Sequence, residues 1–212
     1  MLKALCLALL VAAPAAYQAS PATYQHLNVT IHYPQVTGLE DYQKQLHINS
    51  TLQQDALQLE GYYEPVDQSL ALDANYEVKR KDHLLSVVYT GLGYVKGAAH
   101  PNHLLLTTNV DMNNGVRLRL PDIVRLDEGF VKLLKQKAKG PDGILQEMPD
   151  AELLQRLQMA DVPESRDCST FSYFTKTSLI ISFGVAHVLG DHAEFGISYK
   201  DIALYVKNRS QL

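Results

Sequence analysis

Four histidines and one aspartate are the residues of this chain best suited to chemistry. His100 and His103 lie three apart, and His187 and His192 flank the turn at Gly190-Asp191. Neutral imidazole nitrogens and carboxylate oxygens are zinc ligands, and a site with one open position activates water. One reading is therefore a metal-dependent hydrolase using His100, His103, His187 and His192, with Asp191 as a further ligand. Against it, His100 and His103 fall on an extended segment, where side chains three apart point to opposite faces, and no glutamate is fixed nearby as a base. The other reading makes Gly97-Ala98-Ala99-His100-Pro101-Asn102 a binding loop, completed by His103 and the Gly190 turn. Gly97 opens backbone angles other residues avoid, and Pro101 pushes His100 toward an extended shape. The loop then presents an imidazole and an amide for contact, and the chain needs no catalytic residue and no cofactor.

Other chemistries have less to stand on. No strained Gly-x-Ser-x-Gly elbow occurs. Asp122 with Asp127, or Asp67 with Asp73, has the residue types for glycoside hydrolysis but reads as solvated loop acids. Asp111 reads as a turn cap beside Asn113. Tyr62, Tyr63, Tyr89, Tyr94 and Tyr173 offer apolar area with a polar tip, suited to a recognition surface and equally to a core.

The elements that must position these residues follow from periodicity. Leu84-Leu85-Ser86-Val87-Val88-Tyr89 and Leu104-Leu105-Leu106-Thr107-Thr108-Asn109-Val110 predict strands on either side of the loop. Alternation predicts one half-buried strand over Tyr24–Tyr33, ended by Pro34. Leu39, Tyr42, Leu46, Leu52, Ala56 and Leu59 recur at helical spacing, so a helix of about 20 residues runs to a stop at Gly61. Further strands are expected over 71–80, 83–94, 103–110 and 116–120, with an Asn-Gly turn at 114–115. Asp127 and Asp150 are set to cap two shorter helices. Strands at 171–174, 179–183 and 193–198 precede a closing helical turn. Antiparallel-style runs with helices grouped between them predict an α+β fold, with antiparallel sheet or sheets packed against a long N-terminal helix and two shorter mid-chain helices.

The first residues read as an export signal. Lys3 opens it, Ala4–Ala13 form its apolar core, and Ala13-Pro14-Ala15 suits cleavage near Ala15 or Ala16, with Ala22 as a later option. That core is shorter than the roughly 20 residues of a membrane span, and no other segment suggests one. Organisation is expected as a signal peptide and short leader tail (1–22), a strand-helix-strand part (23–95), and a part holding the loop (96–212), the last two packed as one body. Loss of Cys6 with the leader leaves Cys168 alone, so stability must come from a core rather than a disulfide. The formal charge is −4, and Lys79-Arg80-Lys81 stops at Asp82, so no nucleic-acid partner is expected.

Several pieces in order resemble a known family. They are Gly97-Ala98-Ala99-His100-Pro101-Asn102; Asn109-Val110-Asp111 with Gly115; Leu118-Arg119-Leu120-Pro121-Asp122; Tyr173-Phe174 with Leu179-Ile180-Ile181-Ser182-Phe183; Gly190; and Ile197-Ser198-Tyr199-Lys200-Asp201. Tyr33-Pro34, Gly38 and Asn49 resemble its companion N-terminal region. The family is an extracytoplasmic domain of unknown biochemical function. It is similar to the outer region of lysozyme-sensing anti-sigma factors and to the N-terminal region of some peptidoglycan deacetylases. The family loop more usually reads Gly-Gly-Ala-His, so Ala98 is a departure. With no deacetylase domain and no sigma-binding segment here, the resemblance implies a free-standing secreted, periplasmic or cell-envelope recognition module. Its implied partner is a cell-wall fragment or a protein such as lysozyme.

Overall fold

The computed structural model describes residues 17–63, 66–162 and 169–208; the leader up to residue 16, Cys6 and Cys168 lie outside them. Strand β1 (Gln18–His26) and strand β2 (Val29–Thr37) form a hairpin. The single strand expected over Tyr24–Tyr33 is thus two. The chain reverses at Leu27–Asn28, with Leu27 at a left-handed φ of 53° and half exposed. Facing residues of a hairpin share a side, so the core side takes Tyr24 from β1 but Ile31 from β2. A two-residue turn flips the parity of the alternation, and Leu27 continued the wrong register. Residues 18–22, assigned to the leader tail from sequence, form the first half of β1.

Pro34 does not end β2. It faces Pro21, and facing antiparallel residues exchange both hydrogen bonds or neither. Two residues without an N–H fit the second kind. On its other edge β2 pairs with the next strand only over Val29–Ile31. Beyond that, helix α1 (Tyr42–Gly61) substitutes for a strand: Val36 N–H donates to Asn49 Oδ1 at 2.6 Å, and Asn49 Nδ2 donates to Val36 O at 3.0 Å. Asp41 caps α1 by accepting from Lys44 N–H at 2.9 Å.

Strands β3 (Leu70–Lys81), β4 (Leu84–Val95), β5 (Asn102–Asp111) and β6 (Val116–Leu118) complete a six-stranded sheet in the order β1-β2-β3-β4-β5-β6. Every pair is antiparallel except β2–β3, whose crossover is α1. The boundary drawn at 95/96 falls in the β4–β5 connection, inside this sheet. Four helices follow: α2 (Leu120–Ile123), α3 (Glu128–Lys137), α4 (Ile144–Glu147) and α5 (Asp150–Gln158). Asp127 caps α3, whereas Asp150 is the first residue of α5 rather than its cap. Strands β7 (Thr170–Phe174), β8 (Ser178–Gly184) and β9 (His192–Ser198) form a second antiparallel sheet, closed by helix α6 (Tyr199–Ile202).

The alternation of each strand fixes the layers. Tyr89 Oη donates to Leu52 O, so that side of β4 meets α1. Ser86 and Asn109, opposed across β4–β5, point the other way and take β7: Phe174 N–H donates to Ser86 Oγ, and Asn109 Nδ2 to Ser172 O. Beyond β7–β9, Leu179, Ile181, Phe183 and Phe195 pack with Phe130, Leu134, Leu153 and Leu157 of the helices. The order is α1, large sheet, small sheet, helices. Among the described residues no helix is long and apolar enough to cross a membrane.

A buried acid fastens the two sheets. Asp161, 1% exposed and at a left-handed φ of 63°, accepts from Ser172 N–H and Ser172 Oγ at 2.6 Å each, Leu120 N–H at 2.8 Å and Thr107 Oγ1 at 3.2 Å. Its claim on Leu120 N–H ends the strand expected over 116–120 at Leu118 and turns the chain into α2. Arg117 extends the network, donating to Asp161 O and, through Nε, to Asp55 of α1.

Candidate functional site

Two connections, one from each sheet, meet at one end of the molecule. In the β4–β5 connection Ala98 N–H donates to Val95 O at 2.9 Å. Gly97, with φ 95°, is the third residue of that turn, the position of a type II turn that needs glycine. Nothing lies within 4 Å of where its Cβ would be, so the requirement is the backbone's alone. The β8–β9 connection makes one 3-10 turn at His187–Leu189, then passes through Gly190 (φ 96°) and Asp191 (φ 68°). Gly190 N–H donates to His187 O and Val185 N–H to Asp191 O, each at 2.9 Å.

The tips are joined by side chains. The rings of His100 and His187 stack with centroids 3.5 Å apart and planes within 6°. Asp191 Oδ2 accepts from His103 N–H at 2.8 Å, and its two oxygens lie 2.9 and 3.1 Å from His187 Nδ1. Burial works to raise the Asp191 carboxyl, but the bonds from His103 N–H and His187 outweigh it and hold the group below the usual carboxylate range. Asn102 Nδ2 donates to Tyr63 Oη at 3.3 Å. The Tyr63 ring lies so close to the Gly93 backbone that a Cβ there would overlap it, and burial pushes the Tyr63 phenol up. Val188 and Leu189 stand 87% and 58% exposed on the second tip, with Leu92 and Tyr94 exposed nearby on β4.

Gly97, His100, Pro101, Asn102, His103, Gly190, His187 and Asp191 therefore gather at one end. His192 turns inward instead. It lines a cavity of about 350 Å³ behind the tips, with Thr90, His103, Leu105 and Glu194. The metal-ligand set does not assemble: among the described residues no three His, Cys, Asp or Glu side chains are grouped to hold an ion. His100 and His187 turn faces to each other rather than nitrogens to a common point. The paired carboxylates are local caps: Asp127 caps α3, Asp122 accepts from Arg119 N–H, and Asp67 accepts from Ser69 N–H. Asn113 N–H donates to Asp111, as the turn reading required. Tyr89 and Tyr173 are core residues. Sequence reasoning did not connect Tyr63, Gly93 and Asn102. A bare glycine within a strand pattern was the available signal, since it marks a close approach.

The fold is one already seen in proteins without an assigned activity. Two solved structures of the DUF3298 family, a domain family of unknown function, share it. One, from Bacteroides fragilis NCTC 9343, has a TM-score of 0.56 at 15% identity and covers 91% of this chain and 94% of its own. The other, from Pseudomonas aeruginosa PAO1, has a TM-score of 0.55 at 13% identity and covers 92% and 95%. At these identities the likeness is one of fold. No protein-family signature and no curated protein matches the chain by sequence.

Proposed function

We propose that this chain is an exported, non-catalytic recognition module whose contact surface is the joined pair of hairpin tips. Its ligand is a cell-wall component or a lysozyme-like partner protein, met outside the cytoplasm. The clasp supports this reading most: it ties tips from two sheets together while leaving residues 96–100 and 186–190 exposed. A binding surface gains affinity from being ordered before contact, and exposed Val188 and Leu189 beside polar side chains supply anchors of the usual kind. The imidazoles are engaged with each other and with Asp191, rather than aimed at a common space where a substrate bond would sit. The leader pattern of Lys3 and Ala4–Ala13 supports export.

Calorimetry of the exported form against lysozyme and against peptidoglycan fragments tests the reading. One of the two is expected to bind, and Val188→Asp, at a side chain with no packing to lose, is expected to weaken it about tenfold or more. A folded protein that binds neither overturns the choice of ligand.

A further inference from the structure

The stacked imidazoles at the tips make a contact that depends on their charge. The ring centroids of His100 and His187 are 3.5 Å apart, with planes within 6°. The rings meet through their faces, and at that spacing nothing fits between them. His187 Nδ1 lies 2.9 and 3.1 Å from the Asp191 oxygens, and His100 Nδ1 lies 3.1 Å from Pro101 O. Carboxylate and carbonyl oxygens only accept, so both rings carry a hydrogen on Nδ1 and take a further proton at Nε2. Both side chains reach solvent: His100 is exposed, and the His187 side chain is 41% accessible.

One proton suits this arrangement and two do not. Against its burial, the bonds from His103 N–H and His187 hold the Asp191 carboxyl low, so it stays ionised in mild acid. A cationic His187 then gains a charge-assisted bond to it. A second proton, on His100, sets two cations face to face with that single carboxylate to answer both. The other groups nearby do not supply a second anion to the stack. His103 on the same connection, and Lys96 at its start, are basic. Burial favours the neutral form of His192 and of the Tyr63 phenol beyond α1. Glu194 lies past His192 along β9, on the cavity. His103 N–H keeps its bond to Asp191, and Asn102 its bond to Tyr63, whatever the charge on the two rings. The span left free to part is therefore 97–101. It turns at Gly97, where φ is 95° and nothing lies within 4 Å of a Cβ.

We propose that protons operate the clasp: it holds while at most one of the two stacked imidazoles is charged, and it releases residues 97–101 when both are. An ordinary imidazole gains its proton near pH 6.5. Release therefore belongs to mildly acidic surroundings, after the first proton has strengthened the His187–Asp191 pair. The release is a property of the fold alone. That it governs contact rests on the recognition reading: the ordered surface beside Val188 is offered at neutral pH and withdrawn in acid.

NMR of the whole exported protein tests it, through the nuclear Overhauser contact between the His100 and His187 ring protons. The contact is expected near pH 7.5 and lost below about pH 5.5, with the amide signals of both sheets unchanged. His100→Phe keeps a flat ring that takes no proton, and should hold the contact down to about pH 4.5. Asp191→Asn keeps an acceptor for His103 N–H and tolerates the positive φ, but removes the balancing charge, so the contact should be lost about one pH unit higher. A parent stack that survives to about pH 4.5, loss at the same pH in His100→Phe, or an unmoved loss in Asp191→Asn overturns the proposal. Calorimetry against lysozyme and wall fragments is the second arm: binding should weaken about tenfold between about pH 7.5 and 5, as the competent surface becomes a minor population. Release without binding of either ligand defeats the recognition reading and keeps the switch. Binding without release does the reverse, and release with undiminished binding overturns the control of contact.

Discussion

Replacing Asp161 measures how firmly the two sheets are fastened. Asparagine is the informative substitution, because it tolerates the left-handed backbone at this position and keeps the shape of the side chain. The carboxylate oxygens take four donors: Ser172 N–H and Thr107 on one, Ser172 Oγ and Leu120 N–H on the other. An amide keeps one oxygen and turns the other into a donor. Either Leu120 N–H or Ser172 N–H then faces an NH2 group in a fully buried site. One buried backbone donor left unpaired costs about 1–3 kcal/mol, and Ser172 Oγ can rotate to accept from the amide, so Asp161→Asn is expected to lose about 2–3 kcal/mol. Alanine strands both backbone donors and meets the strain of a positive φ, so about 4–6 kcal/mol is expected. That is a large part of the 5–15 kcal/mol typical of a domain. Urea denaturation at pH 7 reads the difference: with a slope of about 2–3 kcal/mol per molar, asparagine moves the midpoint down by about 1 M at unchanged slope. An asparagine variant within about 0.5 kcal/mol of the parent refutes the donor count, and with it the claim that this acid joins the sheets.

Three further outcomes are expected. His192 holds its proton less tightly folded than unfolded, because burial disfavours the cation. Its contribution to stability is therefore complete above the unfolded value near 6.5 and lost as pH falls through the lower folded value; His192→Leu should flatten the fall in melting temperature on acidification from pH 6.5, and an unchanged slope counts against the assignment. Gly97→Ala should cost about 1 kcal/mol in chemical denaturation, since only the positive φ opposes it, and a neutral result means that the turn takes another form. Asn49→Ala strips Val36 of both its partners and should cost about 2 kcal/mol, whereas Asn49→Asp, which keeps the acceptor for Val36 N–H, should cost less; equal losses would show that the two bonds do not act separately.

The regular elements were legible wherever a local pattern set them. Leu52, Ala56 and Leu59 marked α1 because a helix on a sheet repeats its apolar side every three or four residues; Ile48 completes that side, whereas Tyr42 and Leu46, read as part of it, are exposed. Phe171–Phe174 and Leu179–Phe183 marked β7 and β8 because short apolar runs between turn residues have few other uses. The β1–β2 hairpin was hidden because Leu27 sits in the turn yet keeps the alternation of β2, so periodicity ran straight across the reversal. Helix α4, four residues long, is too short to show a period. The site was half visible. Gly97 and Gly190 mark bends by their backbone needs, and Asp191 beside Gly190 was noted as a turn residue. What the carboxylate does there was not visible, since its partner, His103 N–H, lies 88 residues away. No local pattern singles out Asp161, and only the sheets closing over it make it a hub.

Strand β5 carries in sequence the three features that matter. Asn109 and Thr107 point into the buried network with Ser172 and Asp161; Leu105, on the same side, borders the cavity; His103 reaches the clasp. The two sheets are thus fastened at both ends of the gap between them, but not equally. At the inner end every bond is shielded from water, and an unmade partner there costs its full desolvation. At the outer end His100, His187 and the loop backbone are exposed, so water replaces each bond as it breaks and the net loss is nearer 1 kcal/mol per bond. The inner fastening sets the spacing of the sheets, and the outer one is the only end where parting them is energetically mild.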